Sequence, residues 1–143
     1  MLKGISAILS PELLKILCEM GHGDEITIGD GNFPGHSVHN RVIRMDGHGV
    51  PEILDAILTL MPLDLHTAHP ACVMAVSPGD PTPTPIWDTY REILAKHDAR
   101  GGSCLEAMER FAFYDRVRTK SYAVIMSGET ATYANIILKK GVI

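Results

Sequence analysis

The chain predicts a single α/β domain spanning residues 1–143, with a central mixed β-sheet and helices on both faces. Three observations carry this expectation. Helix-period segments alternate with short apolar, strand-like ones, no linker or internal repeat divides the 143 residues, and the hydrophobic fraction is 45%. A chain of this length buries roughly 70% of the surface it exposes when unfolded, which is enough for one core.

Ser10-Pro11-Glu12 opens the first helix, with an N-cap oxygen, proline in the first turn and an acid facing the dipole. Leu13, Ile16, Leu17 and Met20 share one face, and Gly21 fits the C′ position. Glu25 to Gly29 alternates as a short strand, and Asp30 to His36 is rich in turn residues. Arg41 to Met45 reads as a second strand. Pro51 to Met61 is an amphipathic helix ended by Pro62, and Ala71 to Val76 is a buried strand. Ser77 to Pro85 carries four prolines and suits neither a helix interior nor a central strand. Thr84-Pro85 starts a third helix, supported by Glu92 and Lys96, that stops before Gly101-Gly102. Ser103 and Glu106 form a capping-box pattern, predicting a helix that reaches Arg118. Tyr122 to Met126 and Asn135 to Leu138 are the last strands.

Charge excludes one class of partner. The sum is −4, and Lys139-Lys140 is the only adjacent basic pair, so nothing neutralises a run of phosphates and no nucleic acid is expected. Ile5 to Leu9 is cut by Ser10-Pro11-Glu12, and Ile53 to Leu65 is broken by Asp55, Pro62 and Asp64. Neither reads as a secretory leader or a membrane span, which needs about 18 unbroken apolar residues. Cys18, Cys72 and Cys104 form no CxxC pair. They read as reduced, buried thiols of a cytoplasmic protein.

Several motifs are absent or broken. Pro34 spoils a GxGxxG turn beginning at Gly29, and the chain has neither a Walker loop nor a GxSxG elbow. Seven histidines invite a metal reading, because His36/His39 and His66/His69 have HxxH spacing. Both pairs lie in Gly- or Pro-flanked loops, where that spacing does not fix a shared face, and no metal is expected.

More informative is Gly21-His22-Gly23-Asp24-Glu25, at a helix-to-strand turn, with Asp30 just past the strand. Ligands of α/β proteins bind at the carboxyl ends of strands, which favours Asp30. His22 precedes its strand, so another segment or subunit would have to bring it near. It reads equally as a ligand-facing base between two small residues or as a cation at a helix C-terminus. Tyr133 and Asn135, two apart, would point the same way on a strand and suit a polyhydroxylated ligand, or belong to an ordinary turn. Phe111, Phe113 and Tyr114 read as core aromatics, and Arg110 as surface.

Four blocks carry a resemblance from end to end. They are Leu9-Ser10-Pro11-Glu12-Leu13-Leu14 through Gly21-His22-Gly23-Asp24, Asp30 through Phe33-Pro34 to His36-Ser37, Arg110-Phe111-Ala112-Phe113-Tyr114, and Ser127-Gly128-Glu129 with Tyr133 through Val142. Together they make the chain resemble the fucose mutarotase and D-ribose pyranase family. Ser77 to Met108 contributes no block. The resemblance implies a cofactor-free isomerase that interconverts the α and β anomers of L-fucose. By the same resemblance His22 is the catalytic proton donor, while Asp30, Arg110, Tyr133 and Asn135 bind the sugar. Asp24, His36 and Tyr114 are added as site-lining candidates. It also implies a homo-oligomer, a decameric ring with sites at subunit contacts. In the ribose branch a histidine stands where Arg110 stands here and the Phe-Ala-Phe-Tyr run is missing, so the fucose branch is favoured. The alternatives are a pyranase for D-ribose or another aldose, and a non-catalytic sugar-binding protein linked to transport. Histidine suits anomer exchange because its pKa, about 6.5, lies near neutral pH.

Overall fold

In the computed structural model, which describes every residue from Met1 to Ile143, Ser10 accepts a hydrogen bond from the Leu13 N–H and starts α1 (Pro11–Glu19). The chain continues through β1 (Glu25–Gly29), α2 (Gly35–Val38), β2 (Val42–Met45), α3 (Val50–Leu58), β3 (Ala71–Met74) and α4 (Pro85–His97). A 3₁₀ turn (Gly101–Cys104) precedes β4 (Leu105–Met108), α5 (Arg110–Lys120), β5 (Ser121–Ser127) and β6 (Ile136–Lys139). No helix is long and apolar enough to cross a membrane.

The six strands form one mixed sheet in the order β2-β5-β1-β6-β3-β4. Strand β6 is antiparallel to both its neighbours, β1 and β3, while the β1–β5, β2–β5 and β3–β4 pairs are parallel. The carboxyl ends of β1, β3, β4 and β5 therefore share an edge with the amino end of β6. Alternation sorts the side chains. Ile136 and Leu138 of β6 face a core built with α1, α3 and α4, whereas Ile137 faces a second core with Phe33, Phe113 and Val117. Ala123 and Ile125 of β5 join the first set, and Val124 and Met126 join the second. Helices thus cover both faces, as the alternating pattern predicts.

Some elements differ from expectation. Ser103 and Glu106 do not cap a helix: the Ser103 hydroxyl donates to the Arg100 carbonyl, and Glu106 lies in β4, opposite Cys72 of β3. Pairing along β3 overrides the local capping signal. The cap of α5 is instead Glu109, whose carboxylate accepts from the Phe111 and Ala112 N–H groups. Strand β3 stops at Met74 rather than Val76, and α3 stops at Leu58 rather than Met61. The turn-rich segment after Asp30 includes a single helical turn, α2. Cys18 is exposed, because it lies off the buried stripe of α1; Cys72 and Cys104 are buried.

One contact ties a helix to the loop before β6. Tyr90 of α4 is fully buried, and its hydroxyl donates to the Ala134 carbonyl at 2.6 Å. Tyr90→Phe leaves that carbonyl without the hydroxyl partner and is expected to cost about 1–3 kcal/mol. Urea unfolding checks this, and an unchanged midpoint with an unchanged slope contradicts it.

Candidate active site

At the shared edge of the sheet lies a half-open polar pocket of about 330 Å³, the small end of the usual range for ligand sites. Asp30 enters from the end of β1. Its N–H donates to Asn135 Oδ1 at 2.7 Å, and its own Oδ1 accepts from the Asn32 N–H at 2.9 Å. Burial pushes the Asp30 carboxyl above its ordinary value, against the opposing bonds from the Asn32, Ala134 and Phe33 backbone. Arg110, the first residue of α5, brings a guanidinium 5.7 Å from the Tyr114 ring centre, and Tyr114 stacks on Phe33 at 5.7 Å. The pocket therefore joins an acceptor, a cation, an amide and a phenol beside an aromatic pair.

Tyr133 and Asn135 reach the pocket by a different route from the expected strand alternation. Both precede β6, and Tyr133 is the one non-glycine residue with positive φ, at 56°. A bulky side chain in that region stores on the order of 1–3 kcal/mol. Three bonds hold the loop: Trp87 Nε1 donates to the Tyr133 carbonyl at 2.8 Å, Tyr90 holds Ala134, and the Tyr133 hydroxyl donates to Asp80 Oδ2 at 2.5 Å. The pocket thus gathers Asp30, Arg110, Tyr114, Tyr133 and Asn135.

The other candidates lie elsewhere. His36 sits exposed on α2 and does not line the pocket. Asp24 accepts from the Gly21 N–H at the opposite edge of the sheet. His22 is at that edge too, separated from the pocket by the five residues of β1, roughly 16 Å of strand. Its Nε2 lies 3.1 Å from Asp64 Oδ1, and its ring is 5.5 Å from that of His66. A carboxylate only accepts, so Nε2 carries a proton in this contact and, in the neutral ring, Nδ1 keeps a lone pair. The side chain of His22 is 45% exposed whereas that of Asp64 is 2%.

Sequence reasoning missed Asp64, whose signal was an acid between Leu63 and Leu65 in an apolar stretch. It also missed Asn32, Met74, Asp80, Thr82 and Thr132 of the pocket wall; Asp80 and Thr82 lie in the proline-rich segment, which carries no motif. Phe111 is exposed rather than core, while Phe113 is fully buried. No group of three or more His, Cys, Asp or Glu side chains is arranged to hold a metal ion.

The fold and the pocket define an α/β domain that offers a polar, monosaccharide-sized site at one edge of a mixed sheet. This chain belongs to the RbsD / FucU transport protein family, whose pattern it matches over residues 3–143. It is 47% identical to the L-fucose mutarotase of Actinobacillus pleuropneumoniae over 142 residues, covering 99% of this chain and 97% of that protein. The crystal structure of FucU from Bifidobacterium longum is similar with a TM-score of 0.96, at 55% identity and 99% coverage of both chains. The fucose mutarotase of Streptococcus pneumoniae, solved in complex with L-fucose, has a TM-score of 0.91 at 47% identity, again with 99% coverage of both.

Asp64 has a pH signature. The Thr67 hydroxyl bond holds its carboxyl below the ordinary carboxylate value; burial opposes this, while the His66 N–H, His22 and Lys139 reinforce it. A carboxyl depressed in the native state stabilises the fold above its unfolded value of about 3.8 and loses that contribution as pH falls toward the native value. Asp64→Asn is expected to cost on the order of 1–2 kcal/mol near neutral pH. Urea melts of both proteins at about pH 7 and about pH 3 should show the gap narrowing in acid; a gap independent of pH contradicts the assignment.

Proposed function

We propose that this protein acts as an L-fucose mutarotase, an isomerase that exchanges the α and β pyranose anomers by general acid/base ring opening and closure, without a cofactor. The observation that carries the reading is the convergence of Asp30, Arg110, Tyr133 and Asn135 on one monosaccharide-sized pocket. It occurs in a chain 47% identical, over 99% of both chains, to a fucose mutarotase solved with L-fucose.

The reaction needs a proton delivered to the ring oxygen while the anomeric hydroxyl loses one, then rotation about the first carbon–carbon bond and the reverse transfers. Asp30 accepts from sugar hydroxyls, Asn135 both donates and accepts, and Arg110 supplies fixed positive charge above Tyr114. His22 is the proton donor, acting as an imidazolium through Nδ1 while Nε2 stays bonded to Asp64. Its place at the far edge of the sheet supports a reading in which a second copy of the chain supplies it to each pocket, in a ring-shaped homo-oligomer of decameric type. An apolar cleft lined by Leu2, Ile5, Leu14, Leu17, Met61 and Val142 supports association. The unpaired thiols support a reducing, cytoplasmic setting.

Exchange NMR on L-fucose, D-ribose and D-galactose at equilibrium tests the activity and its preference. L-Fucose is expected to exchange fastest, and absence of enzyme-dependent exchange refutes the reading. His22→Ala should lower the rate by about 10²–10⁴-fold in a folded protein. If sites are shared, mixing His22→Ala with Arg110→Ala after dissociation and reassembly restores part of the rate, because some pockets receive both intact residues. No restoration argues for sites within one chain.

A further inference from the structure

The proline-rich segment forms part of the pocket wall, through Asp80 and Thr82. It is held by its own hydrogen bonds. The Asp80 N–H donates to the Ser77 carbonyl at 3.0 Å, while Asp80 Oδ1 accepts from the Thr82 N–H at 2.9 Å and the Thr82 hydroxyl at 2.6 Å. The other carboxylate oxygen, Oδ2, accepts from the Tyr133 hydroxyl at 2.5 Å, and the Ser77 N–H donates to that same phenol oxygen at 3.4 Å. An ionised carboxylate has no proton to give, so the direction of the Asp80–Tyr133 bond is fixed. Bonds from Thr82 and Tyr133 keep the Asp80 carboxyl below its ordinary value.

We infer that Asp80 is a positioning residue that sets the hydrogen-bond polarity of Tyr133: with its proton committed to Asp80, the phenol faces the pocket as an acceptor only and receives a hydrogen bond from a hydroxyl of the bound aldopyranose. The inference deepens the mutarotase reading and rests on it. It gives Tyr133 a definite part, since a phenol held this way cannot protonate the ring oxygen and leaves that task to another group. It also gives the proline-rich segment a function. Two prolines, Pro81 and Pro83, flank Thr82 and fix backbone φ on either side of it, so the segment holds a carboxylate behind the phenol as a rigid strap.

Asp80→Asn separates polarity from packing. The two Thr82 donors claim the carboxamide oxygen, which turns the NH₂ group toward Tyr133; the phenol then accepts from Asn and points its own proton into the pocket. The expected result is a loss of about 10- to 100-fold in kcat/KM for L-fucose exchange, the size of one mismatched hydrogen bond at a partly buried site, in a protein that stays folded and whose urea midpoint falls only by the lost carboxylate contribution. In a Tyr133→Phe background the same change should alter the rate by less than about 2-fold, because the two residues act as one unit. An equal loss in both backgrounds, or no loss in either, overturns the inference, since a role confined to bracing the strap persists without the phenol. A wild-type protein that neither binds nor exchanges L-fucose overturns the mutarotase reading itself, and is distinguished by failing before any substitution is made.

Discussion

The reversal of β6 is the constraint on which the site depends. A sheet of uniformly parallel strands would place the amino end of its last strand at the edge opposite the carboxyl ends of the others. Here β6 runs against β1 and β3, so the loop that enters it arrives beside the loop that leaves β1. The bond from the Asp30 N–H to the Asn135 side chain is the direct product of that arrangement. A buried amide satisfies a buried backbone donor, and both residues stay at the pocket floor. Without the reversal, Tyr133 and Asn135 would lie at the edge that carries His22.

Around that junction, stability and site geometry compete. Asp30 is 4% exposed and its carboxyl is disfavoured in the charged form by burial. Tyr133 holds a backbone conformation that few side chains adopt. Neither feature helps the fold. They persist because the neighbourhood over-determines them: Trp87 and Tyr90 reach from α4 to the loop carbonyls, and Asp80 takes the phenol proton. On the opposite edge Asp64 is the converse case. It is equally buried, yet Thr67, His66, His22 and Lys139 surround it with donors, so its charge is favoured.

Periodic signals were the most legible part of the fold. The Ser10 cap, the apolar stripe of α1, the start of α4 at Pro85 and the alternation of β6 are local properties that tertiary contacts reinforce. The segment from Ser103 to Met108 misled because its capping pattern is also local, while its true partner, β3, lies some thirty residues upstream. Pairing of that kind leaves little trace in one sequence. Of the candidates, Asp30, Arg110, Tyr114, Tyr133 and Asn135 meet in one pocket, and His22, Asp24 and His36 do not join them within the chain. Asp80 was illegible for a different reason: its partner is a phenol more than fifty residues away, and only the folded loop brings them together.

The bond from Trp87 to the Tyr133 carbonyl has a practical side. This is the chain's only tryptophan, and its indole N–H is tied at 2.8 Å to the backbone of a pocket residue. Its emission therefore originates on α4, at the point where the helix meets the loop before β6. Any ligand that shifts this loop changes the dipole seen by the indole, so the protein carries its own optical probe of pocket occupancy, with no label attached.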